Sequence, residues 1–196
     1  MAEDLSEFKF SHLKTLVCGS MRLIWSDLLR ISKVFPCLEK LTTPFNDITH
    51  IHVPNDHNFR HLKYLDVEGN SINEWKYVLN LSVIETLEHI NLDNVGLKKV
   101  WFNESDKTTY LPCLKKLVLN NNIIDNVSKI CHSFAVSIVI TLYFVQWESI
   151  GELNKLASFE DLKFLRNPLL QTEDIDTCFQ LIVARIKSLK VRCCKC

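Results

Sequence analysis

Leu114-Lys-Lys-Leu117-Val-Leu119-Asn-Asn-Asn122-Ile-Ile124 decides the fold. Apolar residues stand at its first, fourth, sixth and eleventh positions, and an asparagine stands at its ninth. The same spacing returns as Leu62, Leu65, Val67, Asn70 and Ile72, and again as Phe159, Leu162, Phe164, Asn167 and Leu169. Looser copies lie between and before these. Leu38, Leu41, Asn46 and Ile48 form one, with Thr43 in an apolar slot. Leu87, Ile90, Leu92 and Leu97 form another, with Val95 in the asparagine slot. Leu13, Leu16, Cys18 and Leu23 form the earliest, with Met21 there, and a seventh strand is expected to begin at Ile186, Leu189 and Val191.

Each alternating apolar pair predicts a short strand that buries one face, and each copy needs a neighbour to stack on. The asparagine amide is suited to bonding backbone groups where the chain turns out of the strand. This is the leucine-rich repeat signature. The predicted fold is α/β, a solenoid of about six to seven repeats of ~25 residues. Parallel strands line its concave face, helices and irregular segments its convex face, and a C-terminal helix caps it. Residues 1–12 are expected to be an N-terminal cap, 13–190 the repeat domain and 191–196 a tail. Leu5, Phe8 and Phe10 are expected to cover the first strand.

The period breaks once. Starts at residues 13, 38, 62, 87 and 114 lie 25, 24, 25 and 27 apart, but the next start is residue 159. Trp75 follows the third repeat's Asn73-Glu74, and the matching Trp147 of the fifth repeat arrives 20 residues late. Removing residues 127–146 restores both the tryptophan and the period. In that stretch 13 of 20 residues are hydrophobic and none is acidic. Its Val-Ser and Phe-Val-Gln borders can be encoded by GTAAGT and by a pyrimidine tract ending in CAG. It reads either as a translated intron or as a genuine insertion.

Helical spacing places convex helices over 25–35, 75–84 and 147–156, each opened by a tryptophan packed on the core, with Ser26 as the first N-cap. A terminal helix follows Pro168, with Thr172 as its N-cap and Ile175, Cys178, Phe179, Ile182 and Ile186 as its apolar stripe. Cys37 and Cys113 are expected to be small core fillers.

The chain has 196 residues, with Lys+Arg 23 and Asp+Glu 23. A chain of zero net charge is a poor candidate for nucleic-acid binding through counterion release. Four scattered glycines exclude a phosphate-cradling glycine loop. There is no signal-peptide pattern, and the longest apolar run falls well short of the roughly twenty residues a membrane helix needs. The chain is therefore expected to be cytosolic or nuclear, with no membrane partner and its eight cysteines reduced.

No catalytic motif is present, so no enzyme, cofactor or metal is predicted. His50, His52, His57 and His61 cluster in one repeat, but no cysteine or carboxylate completes a zinc set and a solvated connection is the preferred reading. Cys193 and Cys196 form a C-x-x-C on a tail rather than at a helix start. The expected partner-binding surface is the row of outward strand positions. It comprises Tyr64, Asp66 and Glu68, then His89, Asn91 and Asp93, then Lys116, Val118 and Asn120. Its centre is polar to acidic, which favours a basic or donor-rich partner.

Leu16 to Trp25, the run from Leu114 to Asn126 continued by Trp147-Glu-Ser-Ile, and Asn167-Pro-Leu leading to Leu181-Ile-Val-Ala-Arg-Ile resemble the leucine-rich repeat region of tubulin-specific chaperone E. The resemblance covers residues 10–190 apart from the insert. It implies a cytoplasmic, cytoskeleton-associated protein that binds α-tubulin and acts with other tubulin-folding cofactors in folding and in α/β heterodimer assembly or dissociation. In that family the repeats lie between a CAP-Gly domain and a ubiquitin-like domain, neither of which this sequence contains. The chain is thus expected to be one module of a longer protein, as a truncated product or a partial gene model. The alternative is a stand-alone repeat adaptor in a nuclear ribonucleoprotein or histone-chaperone complex.

Overall fold

The computed structural model describes residues 10–55, 57–103, 108–124, 147–171 and 173–190. The segment 127–146, Leu5, Phe8, Thr172 and the Cys193/Cys196 pair lie outside the described residues.

Six three-residue strands form one parallel sheet in chain order: β1 (Thr15–Val17), β2 (Lys40–Thr42), β3 (Tyr64–Asp66), β4 (His89–Asn91), β5 (Lys116–Val118) and β6 (Asp161–Lys163). Their registers put Leu16, Leu41, Leu65, Ile90, Leu117 and Leu162 side by side. These are the fourth-position residues of the sequence pattern. The four inner ones are at most 1 % exposed, and a fully buried side chain of this size contributes about 1.5–3 kcal/mol. Parallel strands need a crossover between them, and here each crossover from β1 to β5 is one sequence period, while the last is a period plus the extra 20 residues. The architecture is α/β and compatible with a repeat solenoid.

Backbone bonding runs well beyond the three strand residues. Before the strands, Glu39 N–H donates to Lys14, Lys63 to Glu39, Glu88 to Lys63, Lys115 to Glu88 and Glu160 to Lys115, all at 2.8–2.9 Å. Lys190 N–H donates to Glu160 in the same way, so Leu189, and not Ile186 as expected, takes the first position of a seventh copy. The side chains alternate in sign along this line. Glu39 pairs with both Lys14 and Lys63, Glu88 with Lys115, and Glu160 with Lys190. The two lysines, bonding to the Glu39 carboxylate, hold it below the usual carboxylate range.

After the strands, one equivalent position in each repeat enters the left-handed region: Ser20, Phe45, Gly69, Asn94, Asn121 and Arg166, with Arg22 and Gly96 two residues further on in the first and fourth repeats. Only one residue at the equivalent position is glycine, and the others cost about 1–2 kcal/mol each in this conformation. The turn aims each N–H at the next repeat. Ser20 donates to the carbonyl of Pro44, Phe45 to Glu68, Gly69 to Asp93, Asn94 to Asn120 and Asn121 to Leu165, at 2.8–3.0 Å. Those bonds continue the ladder, which is why the conformation holds without glycine.

The motif asparagines sit just after these turns and are buried. Asn122 donates its amide to Leu92 at 2.8 Å and Leu119 at 3.1 Å, and accepts from Val95 and Leu97. Asn46, Asn70 and Asn167 repeat the arrangement, each tying its own turn to the preceding repeat. The turn-bonding role expected for these residues is what they perform. Thr43, in an apolar slot, is buried because its hydroxyl donates to Asp66 at 3.0 Å.

The helices pack across the core from the exposed sheet face. They are α1 (Trp25–Val34), α2 (Trp75–Leu79), α3 (Glu148–Glu152) and α4 (Ile175–Arg185), and α2 and α3 each continue as a 3-10 turn. Trp25, Trp75 and Trp147 are at most 5 % exposed, as helix-start residues packed on the core. In the fourth repeat, which has no helix among its described residues, α3 holds the chain: Ser149 accepts from Val100 N–H at 3.1 Å, and Glu152 from Phe102 N–H at 2.7 Å.

Several local expectations are corrected. Ile24, not Ser26, caps α1, because the Asp27 carboxylate reaches back to the Ile24 N–H at 3.0 Å. Asp174 caps α4, accepting from Thr177 N–H at 2.9 Å. Of the α4 stripe, Cys178 and Ile186 are buried, but Ile175 is 79 % and Phe179 45 % exposed. Cys113 is exposed and Cys37 half-buried, so neither fills the core. Phe10 stacks on Phe35 at 5.5 Å, yet remains 55 % exposed.

Candidate functional site

Strand alternation sends every second side chain away from the core. On one side go the leucines. On the other lie two strand rows, Thr15, Lys40, Tyr64, His89, Lys116 and Asp161, then Val17, Thr42, Asp66, Asn91, Val118 and Lys163, fixed by the sheet register. Glu68, Asp93 and Asn120 extend the face just past the strands.

The structure brings the expected row together. A depression of about 230 Å³ is lined by Tyr64, His89, Asn91, Asp93, Lys116, Val118 and Asn120, with Ile90 and Lys163. Tyr64 and His89 meet edge to face at 6.2 Å, and the Lys40 ammonium stands 4.5 Å from the Tyr64 ring centre. Burial, followed by the nearby Asp66 carboxylate, raises the Tyr64 hydroxyl above its ordinary value, so it stays protonated.

The carboxylates are held by neutral donors. Asn91 donates to Asp66 at 3.0 Å and to Glu68 at 3.3 Å. Asp93 accepts from Asn120 at 3.3 Å and Asn121 at 2.6 Å. Asp66 also takes the Glu68 N–H at 3.1 Å and is only 8 % exposed. It is therefore a brace beneath the surface rather than an outward contact, which corrects its expected place in the row. Lys116 pairs with Asp161 at 2.6 Å.

Sequence reasoning missed Lys163 and Asn121. Lys163 occupies the register slot of Val118 and Asn91, so carrying the row one repeat further would have found it. Asn121 carried no such signal, because its role depends on the left-handed turn. Among the described residues no group of three or more His, Cys, Asp and Glu is placed to hold a metal. His50 packs against Tyr77 at 4.6 Å and His57 meets Arg60 at 2.8 Å, so the histidine run is spent on separate contacts. No described helix is long and apolar enough to cross a membrane.

Comparison with known proteins adds the lineage. No protein-family model matches the chain. Tubulin-specific chaperone E of Danio rerio is 32 % identical over 186 residues, covering 93 % of this chain. The Bos taurus and Homo sapiens proteins of the same name are each 30 % identical over 92 % of it. The chain is similar to tubulin-specific chaperone E over nearly its whole length. It spans about a third of the length of the curated relatives it matches. With 93 % of the chain covered, the matched span takes in all six strands. The relatives lend no support to a nuclear ribonucleoprotein or histone-chaperone adaptor.

Proposed function

We propose that the chain is a non-enzymatic protein-binding module acting in tubulin folding, which takes α-tubulin on the concave strand face. In this reading the six strands belong to six leucine-rich repeats and Leu189 opens a seventh. Helix α4 caps the end of the core, and residues 13–190 form one repeat domain. Tyr64, Glu68, His89, Asn91, Asp93, Lys116 and Asn120 make the contact surface, with Asp66 bracing it from below. The partners are α-tubulin and the other tubulin-folding cofactors, and the setting is the cytoplasm and its cytoskeleton.

The observation that carries this reading is the 32 % identity to a tubulin-specific chaperone over 93 % of the chain. The exposed sheet face supports it physically, as a preformed array of polar side chains on a rigid ladder. The test is a pull-down with the tagged full chain from a cytosolic extract, probed for α-tubulin and for other tubulin-folding cofactors. Recovery of α-tubulin above an unrelated repeat protein supports the reading. Absence of α-tubulin, with the bait folded, rejects it.

A further inference from the structure

The exposed sheet face carries two signs in two places. Just past strands β3 and β4, Glu68 and Asp93 reach the surface beside the buried Asp66. Their hydrogen bonds come from asparagine amides, which orient the carboxylates without neutralising them. Among the described residues none of these three carboxylates has an ion-pair partner. The ion pairs along this sheet run between other residues, from Lys14 to Glu39 at one end to Lys116 with Asp161 at the other. On β6 the charge reverses. Lys163 is exposed and forms no ion pair among the described residues, and the exposed Arg166 guanidinium meets only the Asn121 amide oxygen, at 3.5 Å. The depression lined by Asp93, Asn120, Lys116 and Lys163 lies between the two ends.

Uncompensated charges of opposite sign, fixed on one rigid sheet, are complementary to a partner that carries the reverse pair. Neighbouring strands are about 4.8 Å apart, so the Glu68/Asp93 pair, on the lines of β3 and β4, lies roughly 12 Å from the line of β6. Four residues of extended chain span about 13 Å at about 3.3 Å each, and side chains four residues apart point to the same side. The intervening residues would cross the depression over Asn120 and Val118, where amide groups and a half-buried apolar side chain offer neutral contacts.

We propose that this face binds an extended protein segment bearing a lysine or arginine and, four residues away, an aspartate or glutamate. The cation lies over Glu68 and Asp93, and the carboxylate over Lys163 and Arg166. This deepens the tubulin-binding reading by naming the chemistry of the segment the face recognises, but its test does not need tubulin.

Four acetylated and amidated octapeptides with identical neutral residues would carry Lys-x-x-x-Asp, Lys-x-x-x-Lys, Asp-x-x-x-Asp or no charge. Each is titrated into the isotopically labelled full chain, and amide shifts are followed by NMR at low salt. The Lys-x-x-x-Asp peptide is expected to bind on the order of fivefold more tightly than either like-charged one, in line with exposed ion pairs. Its shifts should concentrate on strands β3 to β6. In K163E/R166E the preference should move to Lys-x-x-x-Lys, and in E68K/D93K to Asp-x-x-x-Asp. Circular dichroism and melting of both variants confirm that they are folded, and a misfolded pair is replaced by K163Q/R166Q and E68Q/D93Q, which should abolish the preference. Equal binding of all four peptides, or a preference unmoved by the substitutions, overturns the inference. If the peptides behave as expected but α-tubulin is not recovered, the tubulin reading fails and the segment chemistry stands. If α-tubulin is recovered but the four peptides bind alike, the segment chemistry fails and the tubulin reading stands.

Discussion

The side-chain amide of Asn70 donates to the carbonyl of Thr43, 27 residues earlier and 3.0 Å away. The same amide reaches Val67 at 2.8 Å, and its oxygen accepts the Ile48 N–H at 3.0 Å. One buried side chain thus satisfies backbone groups of two consecutive repeats, groups that would otherwise be buried without partners. An unsatisfied buried group costs about 1–3 kcal/mol. Asn70→Ala should destabilise the chain by roughly 2–3 kcal/mol, lowering Tm by about 5–10 °C. Asn73→Ala, at an exposed site three residues on, should stay within about 0.5 kcal/mol. Thermal melts of the two variants check this directly.

Gly69 is the one glycine at this turn position, and its neighbour explains why. Its φ is +66°, and a Cβ there would overlap the ring of Phe45 in the preceding repeat. Gly69→Ala should cost about 1–2 kcal/mol for the conformation, with more for the overlap. Adding Phe45→Ala removes the overlap alone. Denaturant melts of the single and double variants should therefore be non-additive, with the double variant recovering part of the loss. Additive losses would show that the two residues do not meet.

Glu39 gives the acid response of the charge ladder a sign. Its carboxylate is held below the ordinary value of 4.5 by bonds to Lys14 and Lys63. A depressed folded-state value contributes stability above the unfolded value, and this is lost as pH falls through the folded one. Glu39→Gln should flatten the decline in Tm as pH drops below about 4.5, and the difference should shrink in high salt. Parallel declines in the two proteins would remove Glu39 from the account.

Residues 127–146 interrupt a period that Ile124 and Trp147, both 0 % exposed, otherwise continue. The stretch is β-branched, apolar and almost uncharged, the composition of aggregation-prone segments. Deleting it should raise both soluble yield and Tm. Unchanged or lower values for the deletion would mean that the segment contributes packing.

What was legible in the sequence, and what was not, divides along physical lines. Strand positions and register were readable because Leu41, Leu65, Ile90 and Leu117 obey a period that only a stacked sheet requires. The asparagine turns and the tryptophan helix starts were readable for the same reason. The left-handed residues were not, since Ser20, Phe45, Asn94 and Asn121 give no glycine signal and depend on a carbonyl from the next repeat. Helix caps were misplaced because Asp27 bonds backward to Ile24, and Asp174 takes the capping role at α4. Strand alternation put Asp66 outward, but the Glu68 and Asn91 groups bonded to it cover it. The exposure of Ile175 and Phe179 depends on what packs beside α4, which helical spacing alone does not specify.

The most direct test of the central claim is a titration of purified tubulin with three forms of the full chain. Tyr64→Ala/His89→Ala alters the exposed sheet face. Trp101→Ala alters the opposite side, where Val100 and Phe102 meet helix α3. The account predicts that the Trp101 variant binds like the unaltered chain, and that the Tyr64/His89 variant binds at least about tenfold more weakly, as expected for loss of central aromatic contacts, with little change in Tm. Equal affinity of all three forms, or a loss confined to Trp101→Ala, would contradict it.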